Sequence, residues 1–214
     1  MLPIDRAGVK GTLERASETT APERALVLTH GAGSNSNAPI LKAVSARLCQ
    51  HGWTVLRCDL PFRQKQPSGS PRPSGAAADR EGLKQALTLL RAETSPETRL
   101  FLGGHSYGGR QATMLAAEHP EVDAVGLLLM SYPLHPPGKP QQLRTAHLPS
   151  LTKPAFFAHG SRDDFGTRDE MAQALALIPA TTQLFMVEGS GHDLGGGKKL
   201  AFLDTFLNEF AAGL

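Results

Sequence analysis

Ser106 lies between Gly104 and Gly108 in the run Gly103-Gly104-His105-Ser106-Tyr107-Gly108-Gly109. Apolar Leu100-Phe101-Leu102 precedes this run and a helix-forming stretch, Arg110 to His119, follows it. The serine therefore stands at the apex of a strand–turn–helix, the context that a G-x-S-x-G nucleophile elbow requires. Such a turn strains the serine backbone and demands very small residues two positions before and two after it. The string alone also fits a phosphate cradle or a packing turn. Three further segments change the balance: His30-Gly31-Ala32-Gly33, Gly160-Ser161-Arg162-Asp163-Asp164 and Gly189-Ser190-Gly191-His192-Asp193. Each directly follows a strand-like run, and functional groups in open parallel sheets gather at the carboxyl ends of strands.

The chemistry explains why these types belong together. A serine hydroxyl is a poor nucleophile at neutral pH. It needs an imidazole to take its proton during attack and return it to the leaving group. The imidazole needs a carboxylate to fix its tautomer and stabilise the imidazolium. His192, beside Gly191, is the expected base, and Asp163 or Asp164 the expected acid. Attack on a carbonyl creates an oxyanion, which needs N–H donors. Tyr107 N–H, next to the serine, and Ala32 N–H, in the loop after an earlier strand, are the expected pair.

The elements that must position these groups alternate between strand-like and helical runs, which predicts a mostly parallel sheet with helices on both faces. Val9 to Ala16 reads as an antiparallel edge strand. Ala25 to Thr29, Trp53 to Cys58, Arg99 to Leu102, Val122 to Met130, Ala155 to Ala158 and Gln183 to Val187 read as the buried strands. Ile40 to His51, with Gly52 as its stop, Ala76 to Glu93, Arg168 to Leu177 and Lys198 to Ala211 read as helices. Leu83, Leu87 and Leu90 mark the core face of the second of these. Phe62 to Gly75 and Tyr132 to Pro149 are rich in proline and polar residues and read as loops that border the pocket. No internal repeat is visible.

The chain has 214 residues, 40% of them hydrophobic and 20% charged, which suits a single α/β domain spanning residues 1–214. The net charge of +2, with no basic stripe, gives no footprint for nucleic acid. No apolar stretch is long enough to span a membrane, and Met1 to Arg6 contains no apolar export region, so the expected location is cytoplasmic. Cys49 and Cys58 read as buried free thiols of a reducing compartment.

Serine, then acid, then histidine is also the chain order of α/β-hydrolase triads. Here the sequence resembles the α/β-hydrolase superfamily, in its small cap-less branch related to dienelactone hydrolases. It is most similar to the family that includes a testis-expressed protein and a subunit of a chromatin acetyltransferase complex. The phrases carrying this are His30 to Gly33, Gly104 to Arg110, Tyr132-Pro133-Leu134-His135-Pro136-Pro137-Gly138-Lys139-Pro140 and Leu143-Arg144-Thr145 before His147-Leu148. The resemblance implies an α/β-hydrolase fold without a large cap. About two dozen residues separate Met130 from Ala155, too few for a lid domain. It also implies Asp163, the third residue after Gly160, in preference to Asp164. Dienelactone hydrolases use a cysteine nucleophile, so their substrate does not carry over to a chain with Ser106.

The remaining histidines have quieter readings. His105 packs beneath the turn, His30 and His159 bond locally at strand ends, and His135 and His147 sit in a solvated loop. No histidine pair has metal-ligand spacing with a nearby carboxylate, and no cofactor is expected. Arg63, Arg72, Arg110 and Arg144 lie in or beside loops at the functional end. If two of them face the pocket, the substrate carries a carboxylate or phosphate. The sequence thus predicts a serine hydrolase of small-molecule esters or thioesters working through an acyl-enzyme. Two other readings stand beside it: a non-catalytic interaction module, and an acyltransferase with the same triad.

Overall fold

The computed structural model describes residues 1–16, 24–195 and 200–213. Among these the strands are β1 (Leu2–Arg6), β2 (Val9–Glu14), β3 (Arg24–Thr29), β4 (Thr54–Asp59), β5 (Arg99–His105), β6 (Gly126–Met130), β7 (Ala155–Gly160) and β8 (Thr182–Val187). The helices are α1 (Pro39–Gln50), α2 (Pro61–Lys65), α3 (Ala76–Ala92), α4 (Tyr107–Glu118), α5 (Arg168–Leu175) and α6 (Phe202–Ala212). All eight strands form one sheet in the order β1-β2-β4-β3-β5-β6-β7-β8. β3 to β8 are mutually parallel, while β2 runs antiparallel to both β1 and β4.

Continuous apolar runs form these strands because both faces are covered. Ala25 and Val27 of β3 join one core with α3, α4 and α5, whereas Leu26 and Leu28 join the other with α1 and α6. β5 and β6 divide in the same way. Each helix presents one apolar stripe. In α1 this is Ile40, Leu41, Val44 and Leu48, after Pro39 at the helix start, and Gly52 at φ 84° ends the run. Thr167 and Glu170 form a reciprocal capping box that starts α5.

The structure corrects several expected boundaries. Val9–Glu14 is not the sheet edge: β1 pairs outside it through a two-residue turn in which Ala7 and Gly8 both have positive φ. Only Ile4 of β1 is buried, so the alternation that marks a strand is nearly absent from its sequence. The expected loop from Phe62 begins with the short helix α2, whose first turn is held by Phe62 N–H donating to Asp79 Oδ1 at 3.0 Å. β5 runs on through Gly103 and Gly104 to His105. The strand expected from Val122 starts only at Gly126. Lys198, the expected start of the last helix, lies outside the described residues, and α6 begins at Phe202. Between β6 and β7 the chain forms only a short 3-10 turn, Leu148–Ser150. No helix of the described residues is long and apolar enough to cross a membrane. Cys58 is buried and Cys49 only partly so; both are free, and burial pushes their thiols up to about 12 and about 11.

Under the sheet, Phe210 of α6 is fully buried against Trp53, Phe101 and Phe156, with ring centroids 5.5, 5.5 and 5.1 Å away. Removing that ring leaves a cavity between three aromatic neighbours. Phe210→Ala is expected to lower the unfolding free energy by about 3–5 kcal/mol in urea denaturation. A loss below about 1 kcal/mol would mean that α6 does not close this core.

Candidate active site

β5 occupies the middle of the sheet, between β3 and β6, and delivers Ser106 at its carboxyl end. Ser106 has φ 51° and ψ −117°, a region that costs an ordinary residue about 1–3 kcal/mol. Its backbone is pinned: Ser106 N–H donates to Met130 O at 2.8 Å, and Ser106 O accepts Arg110 N–H at 3.0 Å. The flanking glycines are there for space. A Cβ on Gly104 would lie 2.7 Å from Gly109 N, and one on Gly108 would lie 2.6 Å from both His30 O and Thr29 Cγ2. Helix α4 can therefore start against the end of β3, with Gly108 N–H donating to His30 O at 3.1 Å.

Asp163 follows β7 and His192 follows β8. The two loops are tied together by Arg162 N–H to Ser190 O at 2.9 Å and Gly189 N–H to Ser161 Oγ at 2.8 Å. Leu194, fully buried, anchors the histidine loop in the core shared with α1 and α6. The result is one hydrogen-bonded line. His192 Nδ1 lies 2.8 Å from Asp163 Oδ2 and 3.0 Å from Oδ1, and His192 Nε2 lies 2.7 Å from Ser106 Oγ. Asp163 Oδ1 also accepts Phe165 N–H at 2.9 Å. Burial pushes the Asp163 carboxyl up, but the His192 bond and charge, the Phe165 N–H and His159 outweigh it, and the group ends below its ordinary value. An ionised Asp163 takes Nδ1–H and leaves the Nε2 lone pair facing the serine hydroxyl. Asp164, the rival acid, is exposed.

Ala32 and Tyr107 line the same cavity as Ser106, and neither N–H is used in the hydrogen-bond network of the described residues. The loop carrying Ala32 is held from beneath. Arg57, buried in β4, pairs with Glu14 at 2.5 Å and donates to Ser36 O, while Ser36 N–H donates to Asp59 Oδ1 at 2.6 Å. Arg63 donates to Ala32 O, Ser34 O, Gln66 O and Gly69 O at 2.7–3.2 Å. It is thus a loop clamp and does not face the pocket, unlike Arg72, Arg110 and Arg144. The cavity has a volume of about 650 Å3. Among the described residues no cluster of His, Cys, Asp or Glu could hold a metal ion.

Sequence reasoning missed several contributors. Phe165 stacks on the His192 ring with centroids 4.1 Å apart. Asp79, fully buried on α3, accepts the Tyr107 hydroxyl at 2.7 Å as well as Phe62 N–H. Arg80 also lines the cavity. A carboxylate inside an otherwise apolar helix stripe was the available signal for Asp79; Phe165 and Arg80 carried none. His30 behaves as expected, accepting Leu60 N–H on Nε2 at 3.1 Å and donating from Nδ1 to Gly31 O at 2.8 Å. His159 likewise donates to Gly166 O at 2.8 Å. The loop with His135 and His147 is not simply solvated. It packs down through buried Tyr132 and Leu134; His135 is buried against Glu170 at 3.3 Å, and His147 Nε2 donates to Thr113 Oγ1 at 2.8 Å.

His105 does more than pack. Its Nε2 donates to His192 O at 2.9 Å, joining the serine turn to the histidine loop. Burial first, and then the His192 charge, lower it to about 4. The unfolded chain binds this proton at about 6.5, so the folded state loses stability as pH falls from about 6.5 toward 4. Between pH 7 and 5 His105 should account for about 2 kcal/mol of lost stability. Urea unfolding at both pH values should show native protein losing that much more than His105→Gln, and equal losses would contradict the neutral clamp.

Solved structures similar in fold include the following three. An alpha-beta serine hydrolase homologue from Coxiella burnetii superposes with a TM-score of 0.75 at 15% identity, covering 94% of this chain and 91% of that one. A lidless member of the a/b serine hydrolases from Xanthomonas campestris gives 0.73 at 14% identity, covering 94% and 89%. A dienelactone hydrolase from Anabaena variabilis gives 0.68 at 21% identity, covering 94% and 88%. These likenesses share the mostly parallel sheet of the α/β-hydrolase fold. The family described as Alpha/beta hydrolase domain matches residues 22–205, and with most of its length inside that match the chain belongs to this family.

Proposed function

We propose that the protein is a serine hydrolase cleaving small carboxylic esters or thioesters through an acyl-enzyme. The observation that carries this reading is the unbroken line Ser106 Oγ, His192 Nε2, His192 Nδ1, Asp163 at the edge of an open cavity. Ser106 Oγ attacks the carbonyl carbon while His192 Nε2 takes its proton. Asp163 holds the tautomer and faces the imidazolium that forms. Negative charge gathers on the former carbonyl oxygen, and the Ala32 and Tyr107 N–H groups receive it. Collapse of this intermediate expels the alcohol or thiol, to which His192 returns the proton. Water then attacks the acyl-enzyme by the same route, releasing the acid and restoring Ser106.

The short connection between β6 and β7 supports a pocket open to small or extended substrates, and the lidless relative described above agrees with it. Within the family, the Tyr132 to Pro140 phrase supports placement in the branch with the testis-expressed and chromatin-complex members.

Kinetics on 4-nitrophenyl butyrate test the assignment. Ser106→Ala and His192→Ala should each lower kcat by at least about 1,000-fold, and Asp163→Asn should lower it by roughly 10,000-fold. Asp164→Asn should stay within about threefold of native. Ser106→Ala retaining a tenth of native turnover would overturn the reading, and an Asp164→Asn loss as large as that of Asp163→Asn would overturn the choice of acid.

A further inference from the structure

The cavity beside Ser106 is lined by Arg72, Arg80, Arg110 and Arg144 and by no carboxylate. These arginines are not equivalent. Arg80 is neutralised by Glu118, Nε to Oε2 at 2.7 Å, and Arg72 is exposed at the rim. Arg110 and Arg144 have no acidic partner among the described residues, whereas Arg47, Arg57 and Arg91 each meet one at 2.5–2.7 Å. Arg110 Nε is buried without any hydrogen-bond acceptor. The guanidinium does reach the Tyr132 hydroxyl, whose own proton goes to Arg144 O at 2.7 Å. Arg144 has Pro133 O at 3.1 Å from its Nη1 and nothing negative. Burial first, and then the charge of Arg110, lower the Arg144 guanidinium from its ordinary value.

Two guanidinium groups that line one cavity with no carboxylate between them are unfavourable until an anion joins them. Among the described residues no side chain forms an ion pair with Arg110 or Arg144 to supply the missing charge. His147, which donates to Thr113, is lowered to about 4 by burial and by Arg110 and Arg80, so it is neutral. Asp79 is engaged by the Tyr107 hydroxyl and Phe62 N–H. Arg110 stands one helical turn beyond Ser106 on α4, a rise of about 6 Å, so an anion held there lies a few bonds from a carbonyl at Ser106. Guanidinium groups fit the paired oxygens of carboxylates and phosphates.

We propose that the substrate hydrolysed at Ser106 carries a second, oxyanionic group, a carboxylate or phosphate, bound in the same cavity by Arg110 and Arg144. This rests on the hydrolase reading and names its substrate class. Such a group would be held equally in substrate and transition state, so it acts chiefly on kcat/KM through binding.

The test compares kcat/KM for three 4-nitrophenyl esters: hexanoate, hydrogen adipate, and the counterpart of adipate ending in a phosphonate. Native protein should prefer an anionic ester to hexanoate by at least about tenfold, roughly 1.4 kcal/mol. The better of the two anions identifies the group. That preference should fall to near unity in Arg110→Gln and Arg144→Gln and survive in part in Arg110→Lys, which keeps the charge where the glutamine variant fails to fold. Ser106-dependent turnover with no preference for either anion overturns this proposal and leaves the hydrolase reading standing. Loss of the preference in Ser106-competent protein on removing Arg72 alone would overturn the assignment to Arg110 and Arg144. Absence of Ser106-dependent turnover on all three esters overturns the hydrolase reading itself, and this one with it.

Discussion

The backbone of Ser106 at φ 51° is the constraint on which the rest of the site depends. A serine does not hold that conformation unaided. It persists because β5 lies between two parallel neighbours, because Met130 O and Arg110 N–H fix both sides of the residue, and because Gly104 and Gly108 let strand and helix meet at backbone distance. The strain turns Oγ out of the sheet edge and leaves Tyr107 N–H at the open start of α4. Both consequences follow from one dihedral angle, and neither survives if the turn relaxes.

Around this turn the protein uses buried polar groups as spacers. His105 links the turn to the histidine loop, Asp79 links Tyr107 to α2, and Arg63 gathers four carbonyls from the loops on one side of the pocket. Each is satisfied by specific partners, as a buried polar group must be to avoid a large desolvation cost. Arg110 and Arg144 break that pattern. Among the described residues they are cations without a counter-charge, and they face the cavity that holds Ser106, so they are more informative about function than the satisfied groups.

Much of this arrangement was legible in the sequence, for physical reasons that can be named. Buried parallel strands must be apolar on both faces, so Ala25 to Thr29 and Ala155 to Ala158 stand out without any alignment. The close contact of Gly104 and Gly108 excludes other side chains, so the turn carries its own signature. The edge strand β1 was not legible, because only Ile4 needs to be buried there. Nor was the role of Arg63 separable from that of Arg110: both are arginines near the functional end, and only tertiary contacts reveal that one holds carbonyls while the other faces a cavity. The solvated reading of His135 and His147 failed for a related reason. A proline-rich segment has no periodicity to disclose that Tyr132 and Leu134 pull it into the core.

The hydrolase reading stands on the activation of the Ser106 hydroxyl by His192 and Asp163. Intact mass spectrometry after exposure to a fluorophosphonate tests it most directly, since the reagent reports an activated hydroxyl without any need to know the substrate. One covalent adduct is expected on native protein, mapped to Ser106 and absent from Ser106→Ala. A folded native protein that takes up no adduct, or an adduct that persists in Ser106→Ala, would contradict it.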